Sequence, residues 1–137
     1  MRAEPRFEAL ATADVRSLEA LADEILACGV EVSVTAGPES VSAPVRVGVP
    51  GSCDTTVLGH VALTRCTVLL GGTRGDGLRA GYDLAGAVAA AICDAESERR
   101  GAFSERVDEL CHASQHIDAR RKAERADLVA MTTLDEQ

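Results

Sequence analysis

The stretch VLGHVALTRCTVLL, residues 57–70, decides the fold of this chain. It is the longest run with β-strand character, and successive side chains of a strand point to opposite faces of a sheet. One face would carry Val57, Val61, Leu63 and Leu69, and the other Leu58, Ala62, Cys66, Val68 and Leu70. Two apolar faces are typical of a central strand that is covered on both sides. Because so short a chain has few helices to spare, we expect a second polypeptide on one face.

Length and composition predict one domain over residues 1–137 with an aliphatic core. The chain is 46% hydrophobic, and a domain of this size buries roughly two-thirds of its unfolded surface. It has no Trp, one Tyr and two Phe, so the core is expected to consist of Ala, Val and Leu. We therefore expect modest stability that association with another chain increases.

The charge distribution limits the classes of partner. The formal net charge of −8 disfavours nucleic acid and anionic membranes as general partners. The middle of the chain differs from both ends. Over residues 41–82 the net charge is +2, from Arg46, Arg65, Arg74 and Arg79 against Asp54 and Asp76.

Cysteine usage and the absence of targeting patterns predict a cytoplasmic protein. The five cysteines include no C-x-x-C pair, and no N-terminal run is typical of a signal peptide. No segment reaches the ~20 consecutive apolar residues of a membrane-spanning helix. We therefore expect reduced, free thiols and no membrane association.

The element order predicts an α+β fold. A short turn around residues 7–11 is followed by a helix from Val15 to Ala27, with Asp14 as N-cap and Gly29 at the C-terminus. Asp83 is the predicted N-cap of an alanine-rich helix, and a last helical region follows Gly101. The class is an antiparallel sheet of about four strands with flanking N-terminal and C-terminal helices.

Turn residues set the predicted strand boundaries. Gly37-Pro38-Glu39 ends a first strand that starts at Val30, and a second runs over residues 41–49, with Pro44 favouring either an edge position or a strand start after the proline. After the long strand, GGTRGDG at residues 71–77 predicts a hairpin into a last strand. A phosphate-binding loop is disfavoured because the Lys-Ser or Lys-Thr ending of a P-loop is absent.

Two candidate sites follow from residue types alone. Asp108, His112 and His116 recur at i, i+4 and i+8 of the last helix, which resembles a zinc-ligand spacing, but HASQH lacks the Glu of the H-E-x-x-H motif. Arg65 lies mid-strand among aliphatic residues, where an unpaired guanidinium costs several kcal/mol. We therefore expect a carboxylate or a phosphate to meet Arg65, and an internal ion pair is the simplest version.

Four short segments together resemble one known family. They are GPES at residues 37–40, VR at 45–46, LG at 58–59 and LTRCTV at 63–68. In order and spacing they resemble the GPET, VR, LG and LTRCAV signals of PhnG, a subunit of the bacterial carbon-phosphorus lyase system. RADLVAM at residues 125–131 is similar to the closing run of the same family, and Gly81 and Asp83 match its Gly-x-Asp positions.

The resemblance implies a function that the composition alone does not. It implies a non-catalytic subunit of a large hetero-oligomer with PhnI-, PhnH-, PhnJ- and PhnL-like partners, without a cofactor or a metal of its own. That complex transfers a phosphonate to the ribose C1 of ATP and releases adenine, giving α-D-ribose 1-methylphosphonate 5-triphosphate from ATP and an alkylphosphonate. The candidates for contact with a partner or substrate are Thr64, Arg65, Cys66, Gly81 and Asp83.

Two other function classes stay open at the level of the sequence. The chain could act alone as a homo-oligomeric binding module, which would form a stable self-assembled species. A metal-dependent hydrolase would use His112 and His116, and metal analysis of the purified protein separates it from the other two classes.

Overall fold

The computed structural model describes residues 1–48, 51 and 55–135. Within them the chain forms α1 (Ala3–Thr12), α2 (Val15–Ala27), β1 (Val32–Gly48), β2 (Thr55–Leu70), β3 (Thr73–Ala80), α3 (Leu84–Glu98) and α4 (Ser104–Asp135). The described strands make one antiparallel sheet in the order β1-β2-β3, so β2 is the central strand. The predicted α+β class is confirmed, and the predicted central position is confirmed for residues 63–70, which pair with both neighbouring strands.

The helix boundaries follow the capping residues. The Asp14 carboxylate accepts a hydrogen bond from the Ser17 backbone N–H at 3.0 Å, which satisfies one of the free N–H groups at the start of α2. At the other end Gly29 has a φ of +82°, a conformation that glycine adopts without steric cost. The prediction for α2 is confirmed, whereas the short turn expected around residues 7–11 is part of α1, because Ala9 and Leu10 are buried in the core.

The strand break predicted at Gly37-Pro38-Glu39 is wrong. β1 runs through these residues, and the pairing with β2 shifts register between Val34 and Glu39 and then continues. Gly37 takes a φ of +75° and precedes a cis peptide bond to Pro38. The register shifts show that the turn residues form an irregularity within the strand. The two strands predicted before Pro50 are therefore one strand of 17 residues, at the edge of the sheet as Pro44 predicts.

The hairpin predicted after β2 is confirmed and is tighter than expected. Gly71 and Gly72 alone connect Leu70 to Thr73, with φ values of +55° and +86°. Positive φ at both central residues suits a two-residue turn whose twist matches the flanking strands. The remainder of the GGTRGDG segment belongs to β3.

Two glycines of β3 let α3 approach the sheet closely. A Cβ at Gly75 or at Gly77 would overlap backbone atoms of α3, the carbonyl oxygens of Ala91 and Ala87 respectively. On α3 the residues facing the sheet are small, and Ala87, Ala90, Ala91 and Ala95 are fully buried. Glycine on the strand and alanine on the helix together remove the side-chain bulk that would separate them.

Candidate functional site

The two faces of β2 are in different environments, although both carry apolar residues. The face toward the helices is buried from residue 64 onward, with Cys66 2% and Val68 0% exposed. On the opposite face Val61 and Leu69 are 45% and 36% exposed. We call this second face, with its neighbours on β1 and β3, the open face. It is the surface on which the sequence predicts a second polypeptide.

The outer part of the sheet projects beyond the rest of the fold. β3 pairs only with residues 63–70 of β2, while β1 follows β2 down to Thr55. In the resulting two-stranded arm His60 and Ala62 are exposed. They lie on the same face of β2 that is buried against the helices from residue 64 onward. An isolated two-stranded ribbon is marginally stable in water, so an arm of this kind gains most from contact with a partner.

The prediction that Arg65 is buried is wrong, because its face of the sheet is uncovered in this chain. The Arg65 side chain is 62% exposed. Its Nε donates to Oε1 of Glu39 across the strand pair at 2.8 Å. The structure therefore supplies a carboxylate, and it does so from within the chain.

A groove of about 830 Å³ crosses the open face beside Arg65. Its walls come from α1, the three strands and one residue of α3. The apolar lining includes Phe7, Val41 and Leu78, and the charged lining is Glu4, Glu39, Arg65, Arg74, Asp76 and Asp94. Its volume falls in the range that accommodates a small molecule or a segment of a partner chain.

Three of the sequence candidates meet at the start of α3, where their role is structural. Oγ1 of the fully buried Thr64 donates to the Gly81 carbonyl oxygen at 2.7 Å and accepts from the Asp83 N–H at 3.0 Å. The Asp83 carboxylate in turn accepts from the Gly86 N–H at 2.9 Å, as an N-cap does. These residues fix the connection between β3 and α3 and do not face the groove around Arg65.

Comparison with known families identifies the family of this chain. The family model for phosphonate metabolism protein PhnG matches residues 2–135, nearly the whole chain. This chain belongs to the PhnG family. No curated protein sequence matches closely enough to add to that result. The structure shows how the LTRCTV segment is arranged in this PhnG-family chain. Thr64 and Cys66 point into the fold, and Arg65 points out of it.

Cys66 is placed for packing. It lies on the buried face of β2, where burial raises the pKa of its thiol and nearby Asp76 raises it further. Burial likewise raises the pKa of Cys111 to about 11. A thiol with a raised pKa stays protonated near neutral pH and is a poor nucleophile. The described cysteines, which include exposed Cys28, are free thiols, and Cys53 lies outside the described residues.

One charged cluster of this PhnG-family protein was missed by sequence reasoning. Arg6 on α1 is 2% exposed. Its Nε and Nη2 donate to Asp94 and Glu98 of α3, both at 2.6 Å. Asp94 also accepts from the Asp76 N–H at 2.9 Å, so α1, α3 and β3 are joined through one carboxylate. The available signal was the spacing of Arg6 with Ala9 and Leu10, which places an arginine on an apolar helix stripe.

The histidines of α4 are on the surface. His112 and His116 are exposed, and Asp108 is half-buried. Over residues 1–48, 51 and 55–135 no group of three or more His, Cys, Asp or Glu side chains is arranged to hold a metal ion. In the same ranges no helix is both long and apolar enough to cross a membrane.

Proposed function

We propose that this PhnG-family chain is a cytoplasmic, non-catalytic subunit of a carbon-phosphorus lyase core complex. There it supports transfer of a phosphonate to the ribose C1 of ATP with release of adenine. Family membership gives the coarser statement directly, a role in phosphonate metabolism. The subunit role rests on one observation, the open face of β2.

The open face has the character of an interface. Val61 and Leu69 are exposed on the face of β2 opposite to the one that packs against α3. Contact with another chain would remove these side chains from water, which stabilises an assembly by about 25 cal/mol for each Å² of apolar surface buried. The arm extends the same surface, and its two strands, from β1 and β2, pair only with each other.

The chemistry of the other candidates supports a non-catalytic role. The Thr64 hydroxyl is engaged on both sides by backbone groups, and the Cys66 thiol is buried with a raised pKa. Neither group is poised to attack a substrate. Arg65 remains as the candidate for direct contact, while Thr64, Cys66, Gly81 and Asp83 act by shaping the sheet and the start of α3.

We assign the open face to the PhnI-like subunit, with PhnH-, PhnJ- and PhnL-like subunits completing the assembly around ATP and an alkylphosphonate. Co-expression with the PhnI-like protein of the same system is expected to give a co-eluting complex. Val61→Ser is expected to weaken that complex, because Val61 lies on the open face. Val15→Ser is the matched control, since Val15 is 38% exposed on α2, away from this face.

The outcome against the proposal is a soluble monomer that does not bind the PhnI-like protein. The open face also fits the second candidate function, a homo-oligomeric binding module, because two copies could cover each other's apolar side chains. Sedimentation of the chain alone separates the two functions. A stable dimer that Val61→Ser dissociates, and that does not bind the PhnI-like protein, would favour self-association.

A further inference from the structure

We propose that Arg65 is the docking point for a carboxylate of the partner chain, carried on an apolar segment that fills the groove. This inference rests on the proposed function and specifies the chemistry that the partner brings to the open face. It assigns to Arg65 a second acceptor besides Glu39.

Arg65 uses only part of its guanidinium within the chain. Nε is bound to Glu39, and in the described part of the chain neither terminal nitrogen of Arg65 donates a hydrogen bond to a protein acceptor. A guanidinium has five N–H donors, so those on the two terminal nitrogens remain for another group. Because Glu39 holds Nε, the planar fork is oriented before a partner arrives, which favours bidentate binding.

Covering the open face makes a second acceptor necessary. Leu63 lies two residues before Arg65 on the same face, and Leu78 is its cross-strand neighbour on β3. A partner that buries these leucines also removes water from the terminal N–H groups of Arg65. Removing a charged donor from water without supplying an acceptor has a large free-energy cost. An apolar partner surface therefore has to include an acceptor at this position.

The charges around the groove favour a carboxylate over a phosphate. Four carboxylates line it, those of Glu4, Glu39, Asp76 and Asp94, against the guanidinium groups of Arg65 and Arg74. A triphosphate would bring several negative charges into this setting and be repelled. One carboxylate brings a single charge and needs a single cation.

Arg74 does not compete for this role. Its Nε and Nη2 both donate to the Asp76 carboxylate, at 3.2 Å and 3.3 Å. It therefore already holds a carboxylate through two nitrogens, whereas Arg65 holds Glu39 through one. Asp76 is also bound by the Thr67 hydroxyl at 2.7 Å, which fixes this second pair in the sheet.

The test compares Arg65→Met, Arg65→Lys and Arg16→Met in the full chain, by calorimetric titration with the PhnI-like subunit. Arg65→Met is expected to weaken binding by roughly 10-fold or more, since it leaves the partner's acid unpaired. Arg65→Lys keeps the charge without the fork and should restore only part of the affinity. Arg16→Met, an exposed change on α2, should bind like the parent.

A parallel titration of the isolated chain with ATP separates the two ligand chemistries. No binding that depends on Arg65 is expected. ATP binding that Arg65→Met abolishes would overturn the carboxylate assignment in favour of a phosphate, and equal PhnI affinity of Arg65→Met and parent would overturn the role of Arg65 altogether. If the parent itself binds no PhnI-like subunit, the proposed function fails and this inference fails with it.

Discussion

The two faces of β2 carry similar apolar side chains and differ in what can approach them. On the buried face, the neighbouring strand offers Gly75 and Gly77, and α3 meets them with alanines, so backbone comes close to backbone. The open face carries branched side chains and the Arg65–Glu39 pair, which hold any neighbour at side-chain distance. Small residues thus admit the chain's own helix, while the larger and charged residues suit a separately folded surface.

The ion pairs of the molecule differ in the same way. Arg6 is almost fully buried and bonded to two carboxylates of α3. Arg65 and Glu39 form one hydrogen bond with side chains 62% and 48% exposed. A buried pair is costly to break, and an exposed pair adds little to stability. This difference gives the first and largest expected effect.

Arg6→Met is expected to destabilise the fold by about 3–5 kcal/mol, because it leaves buried Asp94 without its counter-ion. The matched change Arg65→Met should cost no more than about 1 kcal/mol. The free energy of unfolding from urea titration measures both. Equal losses in the two variants would show that the two pairs have similar energetic roles.

Gly75→Ala tests the close approach of α3 to the sheet. The added methyl group meets the Ala91 backbone, and overpacking of this kind costs about 1–3 kcal/mol. Gly59→Ala on β2 is the control, because a Cβ at Gly59 meets nothing within 4 Å. A stability for Gly75→Ala that matches the control would mean that α3 can shift without penalty.

Val68→Ala and Val61→Ala compare the two faces directly. Val68 is fully buried and Val61 is 45% exposed. Loss of two methyl groups from the core should cost about 2 kcal/mol, whereas the exposed change should stay within about 0.5 kcal/mol in the free chain. In the complex with the PhnI-like subunit, the two losses should become more similar if Val61 is buried there. Thermal unfolding of the free chain and the complex provides the comparison.

Alkaline pH should lower the stability of the fold through the buried thiol of Cys111 on α4. Burial raises the pKa of Cys111 to about 11, from an ordinary value of 9.0. The unfolded chain therefore releases this proton first, so the contribution of Cys111 to stability is intact below pH 9 and declines as pH rises toward 11. Unfolding followed between pH 8 and 11 should show a fall that Cys111→Ala reduces. An unchanged slope in that variant would place the titrating group elsewhere.

The sequence predicts most of the scaffold because local signals and burial agree there. Asp14, Asp83 and Gly29 begin or end helices where their capping chemistry predicts, and the period of two correctly assigns side chains to faces over residues 60–70. The period does not report what covers a face. For this reason the same reasoning placed Arg65 in an apolar interior that this chain does not provide.

Two further features depended on tertiary contacts. Gly37-Pro38-Glu39 reads as a turn, yet β2 offers a continuous partner and the segment stays in β1 as a register shift. The Arg6 cluster joins residues 88 positions apart in the sequence, and neither arginine nor aspartate by itself predicts such a pairing. The candidate site was only partly predictable for the same reason, since the groove is formed by α1 and three strands together.

The edge of β1 affects how long an unassembled chain can persist in solution. A long exposed edge strand next to apolar side chains invites other chains to add strands and grow into fibrils. Here Pro44 lacks the N–H that an incoming strand would need, and the register shifts between Val34 and Glu39 interrupt a straight edge. Growth along the sheet is thereby discouraged, while approach to its open face is left free. A newly synthesised chain can thus remain competent for assembly without forming aggregates along this edge.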